Sequence, residues 1–201
     1  IALLNKVGSE VSVGQSIGMK DETAARCFAT HNLTLSLMIS LVWASILFFF
    51  SVPIVDFYEL KSHIADNAVN YLRIVSTAFP FVFMSAAATG IFNASGRSKI
   101  PFTINGIGLA INMILDPLFI FVFDWKTDGA AWATWIAQAC VFFFFVYQLK
   151  YKQILWEEFR FFGKLKRIYT TRIIKIGLPV ACLNTLFAFV NMFLGRTAST
   201  V

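Results

Sequence analysis

The chain has 201 residues, of which 58% are hydrophobic and 14% charged, and its formal net charge is +6. A soluble domain carries about 25% charged residues, so this composition, with a mean hydropathy of +0.70, excludes an ordinary water-soluble globule. Nucleic-acid binding is also disfavoured, because Lys and Arg fall between apolar runs rather than along one amphipathic face. Cys27, Cys140 and Cys182 sit in apolar runs at spacings that match no metal motif, and read as small buried hydrophobes. The chain opens at Ile1 inside an apolar stretch with no signal peptide and stops at Val201 just after another, so it is expected to be part of a longer protein.

Residues 1–18 read as the end of a transmembrane helix carrying Lys6 and Glu10. Four residues apart, the two either neutralise each other or leave Glu10 facing a cavity. Gly8, Gly14 and Gly18, with Ser9, Ser12 and Ser16, would let neighbouring helices approach closely. Met19–Arg26 is a short polar turn. Cys27–Val55 holds 29 residues without Asp, Glu, Lys or Arg, more than the ~20 a spanning helix needs. His31, near its start, reads as a satisfied interfacial histidine or as a pH sensor. Pro53 and the polar residues after it close the span. A third span covers Ile74–Gly96, with Pro80 in its interior and a small-residue face from Ser85 to Gly90.

The fourth span is Ile100–Phe123, and Asp116 is its only charged side chain. An ionisable group at membrane depth is costly and marks a functional site by default. Asn105, Asn112 and Asp116 share one helical stripe with Gly108. The fifth span, Gly129–Leu149, has 21 uncharged residues, with Thr134 and Gln138 as its polar face and the phenylalanines from Phe142 as lipid-facing bulk. Lys150–Lys175 holds eight Lys or Arg with Trp156, Phe159, Phe161, Phe162 and Tyr169 interleaved. That pattern reads as a cytoplasmic linker, partly an interfacial amphipathic helix. The sixth span is Ile176–Gly195, with Pro179 near its entry.

The first, third and fifth connections carry 12 Lys or Arg, and the second and fourth carry 2. The positive-inside rule puts the first set in the cytoplasm. Asp116, seven residues from Phe123, is then roughly 10 Å below the outer surface. Thr134, five residues from Gly129, is roughly 8 Å deep. Consecutive antiparallel helices are usually neighbours, so Asp116, Asn112 and Thr134 are expected to converge in the outer half of the bilayer. Carboxylate, amide and hydroxyl oxygens suit a small hard cation or a proton and match zinc or copper poorly. A second reading stays open: Asp116 precedes Pro117 and could cap a second half-helix. The two readings are compatible, since transporters build sites at helix breaks.

Taken in order, EVSVGQSIGMKD, NYLRIV, ATGIFNASGRSKIPF, NMILDPLFIF, DGAAWATWIAQ and IIKIGLPVACLNTLFAFVNMF resemble the multidrug and toxic compound extrusion (MATE) family. The resemblance implies an all-α polytopic membrane protein with twelve helices in two pseudo-symmetric six-helix lobes. This chain would hold about six of them. Residues 1–149 correspond to the second to sixth helices of the first lobe, 150–171 to the basic linker, and 172–201 to the first helix of the second lobe. The resemblance further implies a cell inner-membrane antiporter, not an enzyme, without cofactors and monomeric at full length. It would export organic, often cationic, compounds by alternating access, coupled to inward H⁺ or Na⁺. The family's first-lobe ion site combines an Asp of the first helix with an Asn and an Asp of the fifth and a Thr of the sixth. The last three match Asn112, Asp116 and Thr134, and the first has no counterpart in this chain. Gln138, Asn105 and Glu10 are the candidates for lining the substrate cavity. A lipid or lipid-linked oligosaccharide flippase of the same broad superfamily is the alternative, and it would be expected to place cations in the cavity. The only cationic candidates are Lys6, in the first span, and Arg73, at the entry to the third. An integral membrane enzyme is the remote alternative, since His31 and His63 are the only histidines and no catalytic motif accompanies them.

Overall fold

The computed structural model describes residues 2–59, 62–150, 162–163 and 166–199, and among these it is all-α. The helices are α1 (Ala2–Gly18), α2 (Glu22–Phe49), α3 (Ser51–Asp56), α4 (Ser62–Thr77), α5 (Phe79–Ala94), α6 (Lys99–Pro117), α7 (Lys126–Lys150) and α8 (Arg167–Ser199). Among the described residues, four stretches are long and apolar enough to cross a membrane: Glu22–Phe49, Lys99–Val122, Lys126–Lys150 and Arg167–Leu194. Ile64–Thr77 and Phe79–Ala94 make a fifth if taken together across a 47° bend.

Local chemistry sets the boundaries. The polar turn after α1 is shorter than expected, because Asp21 caps α2 by accepting from the Ala24 N–H at 2.9 Å. Glu22 to Arg26 are therefore already helical. The third span begins at Ser62 rather than Ile74, and Pro80 sits in the first turn of α5 rather than in a helix interior. Proline lacks the N–H that would continue α4, so the chain bends there. Gly96, at φ +71°, closes α5, with Arg97 N–H donating back to Phe92 O at 3.0 Å. α8 begins at Arg167, nine residues before the expected span, so the proposed boundary at 172 falls inside a helix. The amphipathic helix expected in the linker lies mostly at 151–161 and 164–165, outside the described residues.

Two apolar clusters meet at α5. Val13, Phe28, Leu33, Met84, Ile91 and Ile173 join α1, α2, α5 and α8. Ala88, Phe92, Ile104, Val141, Phe145 and Leu149 join α5, α6 and α7. The small face of α5 lets α1 lie directly against it. A Cβ on Gly90 would meet Lys6 O, Ser9 Cβ at 3.0 Å and the Glu10 N at 3.2 Å. Gly8 is close to Ile173 of α8, where an added Cβ would lie 2.9 Å from Cγ2. Gly14 makes only ordinary contact, 3.8 Å to Ala94, and nothing approaches Gly18, so those two do not serve close packing.

Other expectations change with the packing. Lys6 and Glu10 form no ion pair. Cys27 and Cys140 are half-buried, and Cys182 is exposed rather than buried. Phe143 and Phe144 are exposed, but Phe145 is buried and stacks on Phe92 with centroids 6.0 Å apart. His31 is buried in α2, with Nδ1 2.6 Å from Cys27 O and its ring 4.9 Å from that of Tyr169. The start of α8 is held to the bundle by Tyr169 edge-on to Phe28 and by Arg172, whose Nη2 donates to Gln15 Oε1 at 2.9 Å.

α6 is the outlying helix. It packs along α7 and touches α5, and only Pro101, Ile104 and Gly108 are buried. Phe102, Leu109, Met113 and Ile114 are exposed, as lipid or a further helix layer would require.

Candidate functional site

The contact between α6 and α7 positions the polar groups. On α6, Asn105, Gly108 and Asn112 recur at spacings of three and four and so form one stripe. On α7, Thr134 and Gln138 are four apart and face that stripe. Gly108 permits the approach, since a Cβ there would collide with Val141 Cγ2. The two stripes enclose a cavity of about 150 Å³ lined by Asn105, Gly108, Asn112, Thr134, Gln138 and Val141, among others.

Asp116 stands one turn beyond the cavity lining, half-buried. Its link to the cavity is Asn112, whose Nδ2 donates to Asp116 Oδ1 at 3.3 Å, the long end of the hydrogen-bond range. The Thr134 hydroxyl donates to Ala130 O at 3.0 Å, and Asn105 Nδ2 donates to Pro101 O at 2.8 Å. These local bonds use up donors, leaving oxygen lone pairs of Asn105, Asn112 and Thr134 for a ligand. The set is neutral hard oxygens beside one carboxylate, a composition suited to a proton or an alkali cation.

Asp116 does not cap a new half-helix. The helix runs through Pro117 and continues as a π-helix over Leu118–Val122, where Phe123 N–H donates to Leu118 O at 3.1 Å. Pro117 has no N–H for the i→i−4 bond, and the wider turn absorbs the defect. Thus the structure brings Asn105, Asn112, Thr134 and Gln138 into one cavity and ties Asp116 to its edge. Glu10 is elsewhere: it lies on α1, which packs on α2, α5 and α8 and makes no contact with α6 or α7.

A second polar region escaped the sequence reading. The Asn5 side-chain nitrogen and oxygen, Ser9 Oγ, Ser12 Oγ and Asn32 Oδ1 are buried in the α1–α2 region without hydrogen-bond partners among the described residues. Asn32 Nδ2 does donate to the Asn5 backbone carbonyl at 2.9 Å. Amides inside apolar helices were the available signal.

The MatE family model matches residues 1–118. The chain belongs to the MatE family. The probable multidrug resistance protein YoeA of Bacillus subtilis (strain 168) is 28% identical over 181 residues, covering 87% of this chain and 39% of that protein. The multidrug export protein MepA of Staphylococcus aureus (strain MSSA476) is 25% identical over 189 residues, covering 94% of the chain and 42% of MepA. The chain therefore spans about two-fifths of the length of the curated relatives it matches. Among solved structures, the crystal structure of MATE in the bent conformation superposes with a TM-score of 0.86 at 23% identity, covering 96% of this chain and 43% of that one. That likeness establishes a MATE-type helical fold across almost the whole chain.

Proposed function

We propose that this chain is the ion-coupling part of a secondary transporter that exports organic compounds from the cell in exchange for inward H⁺ or Na⁺. The observation that carries the reading is the Asn112–Asp116 pair at the edge of the α6–α7 cavity, on helices of membrane length. The charge pattern supports an orientation with the basic linker in the cytoplasm and this cavity in the outer half of the inner membrane. Relatives named for multidrug resistance and export support organic substrates.

Asn112 suits a site that must exist in two states. With Asp116 ionised, the amide nitrogen donates to the carboxylate, as in this geometry. With Asp116 protonated, a turned amide presents its oxygen to the new O–H. With an alkali cation bound, the amide, carboxylate and Thr134 oxygens all turn toward the ion. Loading removes one net charge from a low-dielectric region, and that change biases the lobe between its two forms. A ligand drives such a switch only by binding the two forms with different affinity.

The test is Asp116→Asn in the full-length protein. The substitution keeps size and removes the titratable, cation-holding group. Membrane insertion and level should stay as in the parent, while ion-driven export falls to background. Parental drug resistance from a normally inserted variant would refute the assignment.

A further inference from the structure

Among the described residues, Arg73 of α4 has no counter-charge. Its Nε donates to Ser51 Oγ at 3.0 Å, and its guanidinium lies 6.0 Å from the Phe48 ring centroid, the outer limit of a cation–π contact. Ser51 is itself buried and fixed, since its hydroxyl donates to Phe48 O at 3.0 Å. Arg73 is exposed, and neither Nη1 nor Nη2 has an acceptor among the described residues. A planar fork of unused N–H donors is the geometry that grips a phosphate through two parallel bonds.

The place of this fork along the helices narrows the ligand. Phe48 is the next-to-last residue of α2, and Ser51 opens α3. Phe49, Phe50 and Val52 beside them are exposed. Arg73 therefore reaches the end of the apolar run, at headgroup level rather than mid-membrane. From there an exposed stripe of α2 runs inward, in which Met38, Leu41, Ser45 and Phe48 recur at intervals of three and four. The Ser45 hydroxyl is spent on Leu41 O at 2.8 Å. From Met38 to Phe48 the stripe is roughly 15 Å long, half of the ~30 Å hydrocarbon core, which is the reach of an acyl chain in one leaflet. Two carboxylates belong to the elements around Arg73. Asp66 lies two turns earlier on the exposed face of α4, roughly 10 Å along the axis, and Asp56 of α3 forms no ion pair among the described residues.

We propose that Arg73 is the headgroup contact of a bound anionic phospholipid, with the phosphodiester on the guanidinium fork and one acyl chain along Met38, Leu41 and Phe48. Asn70, exposed one turn before Arg73 on the same face of α4, supplies an amide to the glycerol headgroup. A lipid of net negative charge fits better than a zwitterionic one, because an ammonium would put a second cation beside the guanidinium. Ser51 and Phe48 are positioning residues. They hold the fork in place before the lipid arrives, which lowers the cost of ordering it. The site shares no residue with the α6–α7 cavity lining, and the orientation proposed above serves only to assign it to the outer leaflet.

The test is native mass spectrometry of the full-length protein, delipidated in detergent and titrated with phosphatidylglycerol or with phosphatidylethanolamine of the same chains. The parent should bind its first phosphatidylglycerol about tenfold more tightly than phosphatidylethanolamine. Arg73→Gln should weaken phosphatidylglycerol binding about tenfold and erase the preference. Arg73→Lys keeps the charge but loses the fork, and its affinity should fall between the two. Arg97→Gln makes the same charge change in the exposed α5–α6 turn and should leave the first bound lipid unaffected. Inorganic phosphate, which lacks the chain, should not displace the lipid. Should Arg73→Gln fail to insert, Arg73→Lys decides alone through its affinity. Equal binding of the two lipids by the parent, parental affinity in the Arg73 variants, an equal loss in Arg97→Gln, or displacement by inorganic phosphate would each overturn the proposal.

Discussion

Two glycines inside helices should respond to the same substitution with opposite sign. Gly90, in α5, lies against α1: its added Cβ would meet Lys6 O, the Glu10 N at 3.2 Å and Ser9 Cβ at 3.0 Å. Two of those three atoms are backbone, so they cannot rotate away, and α1 must shift as a whole. α1 is itself held from its other sides by α2 and by α8, where Gly177 would put a Cβ 2.5 Å from Leu4 O. Gly106, in α6, has nothing within 4 Å of its added Cβ. Replacing Gly by Ala gains about 1 kcal/mol of helix propensity at either position. At Gly106 nothing opposes that gain. At Gly90 the overpacking cost of about 1–3 kcal/mol opposes it, and the backbone contacts place the cost at the upper end. Gly90→Ala should therefore lower the apparent melting temperature of the purified full-length protein in detergent, while Gly106→Ala should leave it unchanged or raise it. Shifts of the same sign and size in both variants would refute the argument from close backbone approach.

Gly108→Ala should push α6 away from α7 by meeting Val141 Cγ2, reducing ion-coupled export, and Val141→Ala should restore much of the loss in the double variant, as a double-mutant cycle of transport rates would register. Additive losses would exclude that contact as the cause. Asn5→Leu removes two buried polar atoms that have no partner, so its stability should change by less than about 1 kcal/mol or improve. A loss of about 2 kcal/mol or more in a denaturation series would instead mean that Asn5 has polar partners, such as bound water, in the folded protein.

Much of this architecture was legible because a bilayer imposes a strong and simple constraint. Runs such as Cys27–Val55 and Gly129–Leu149 are uncharged over a membrane-spanning length, and helix is how a single segment satisfies its own backbone there. The stripe of Asn105, Asn112 and Asp116, and the facing pair Thr134 and Gln138, followed from helical periodicity. The errors fell where periodicity carries no information. Composition alone does not locate a bend, so it leaves Pro80 inside a helix, and the polar NAVNYLR run hides the helix that begins at Ser62. Glu10 lies on α1, which does not touch α6 or α7, and which helices touch is not written in one helix's sequence.

The sequence by itself determined the membrane class, the approximate helix spans, the oxygen character of the candidate site and the family motifs, because hydropathy and i, i+4 spacing are local properties of the chain. Only the tertiary structure decided that Asn112 stands between Asp116 and the cavity, that α6 passes Pro117 through a π-turn instead of breaking, and that Glu10 belongs to a different interface. Each of these depends on which surfaces meet. That choice follows from where glycines such as Gly90 and Gly108 let backbones come together, and steric fit between distant segments has no local signature.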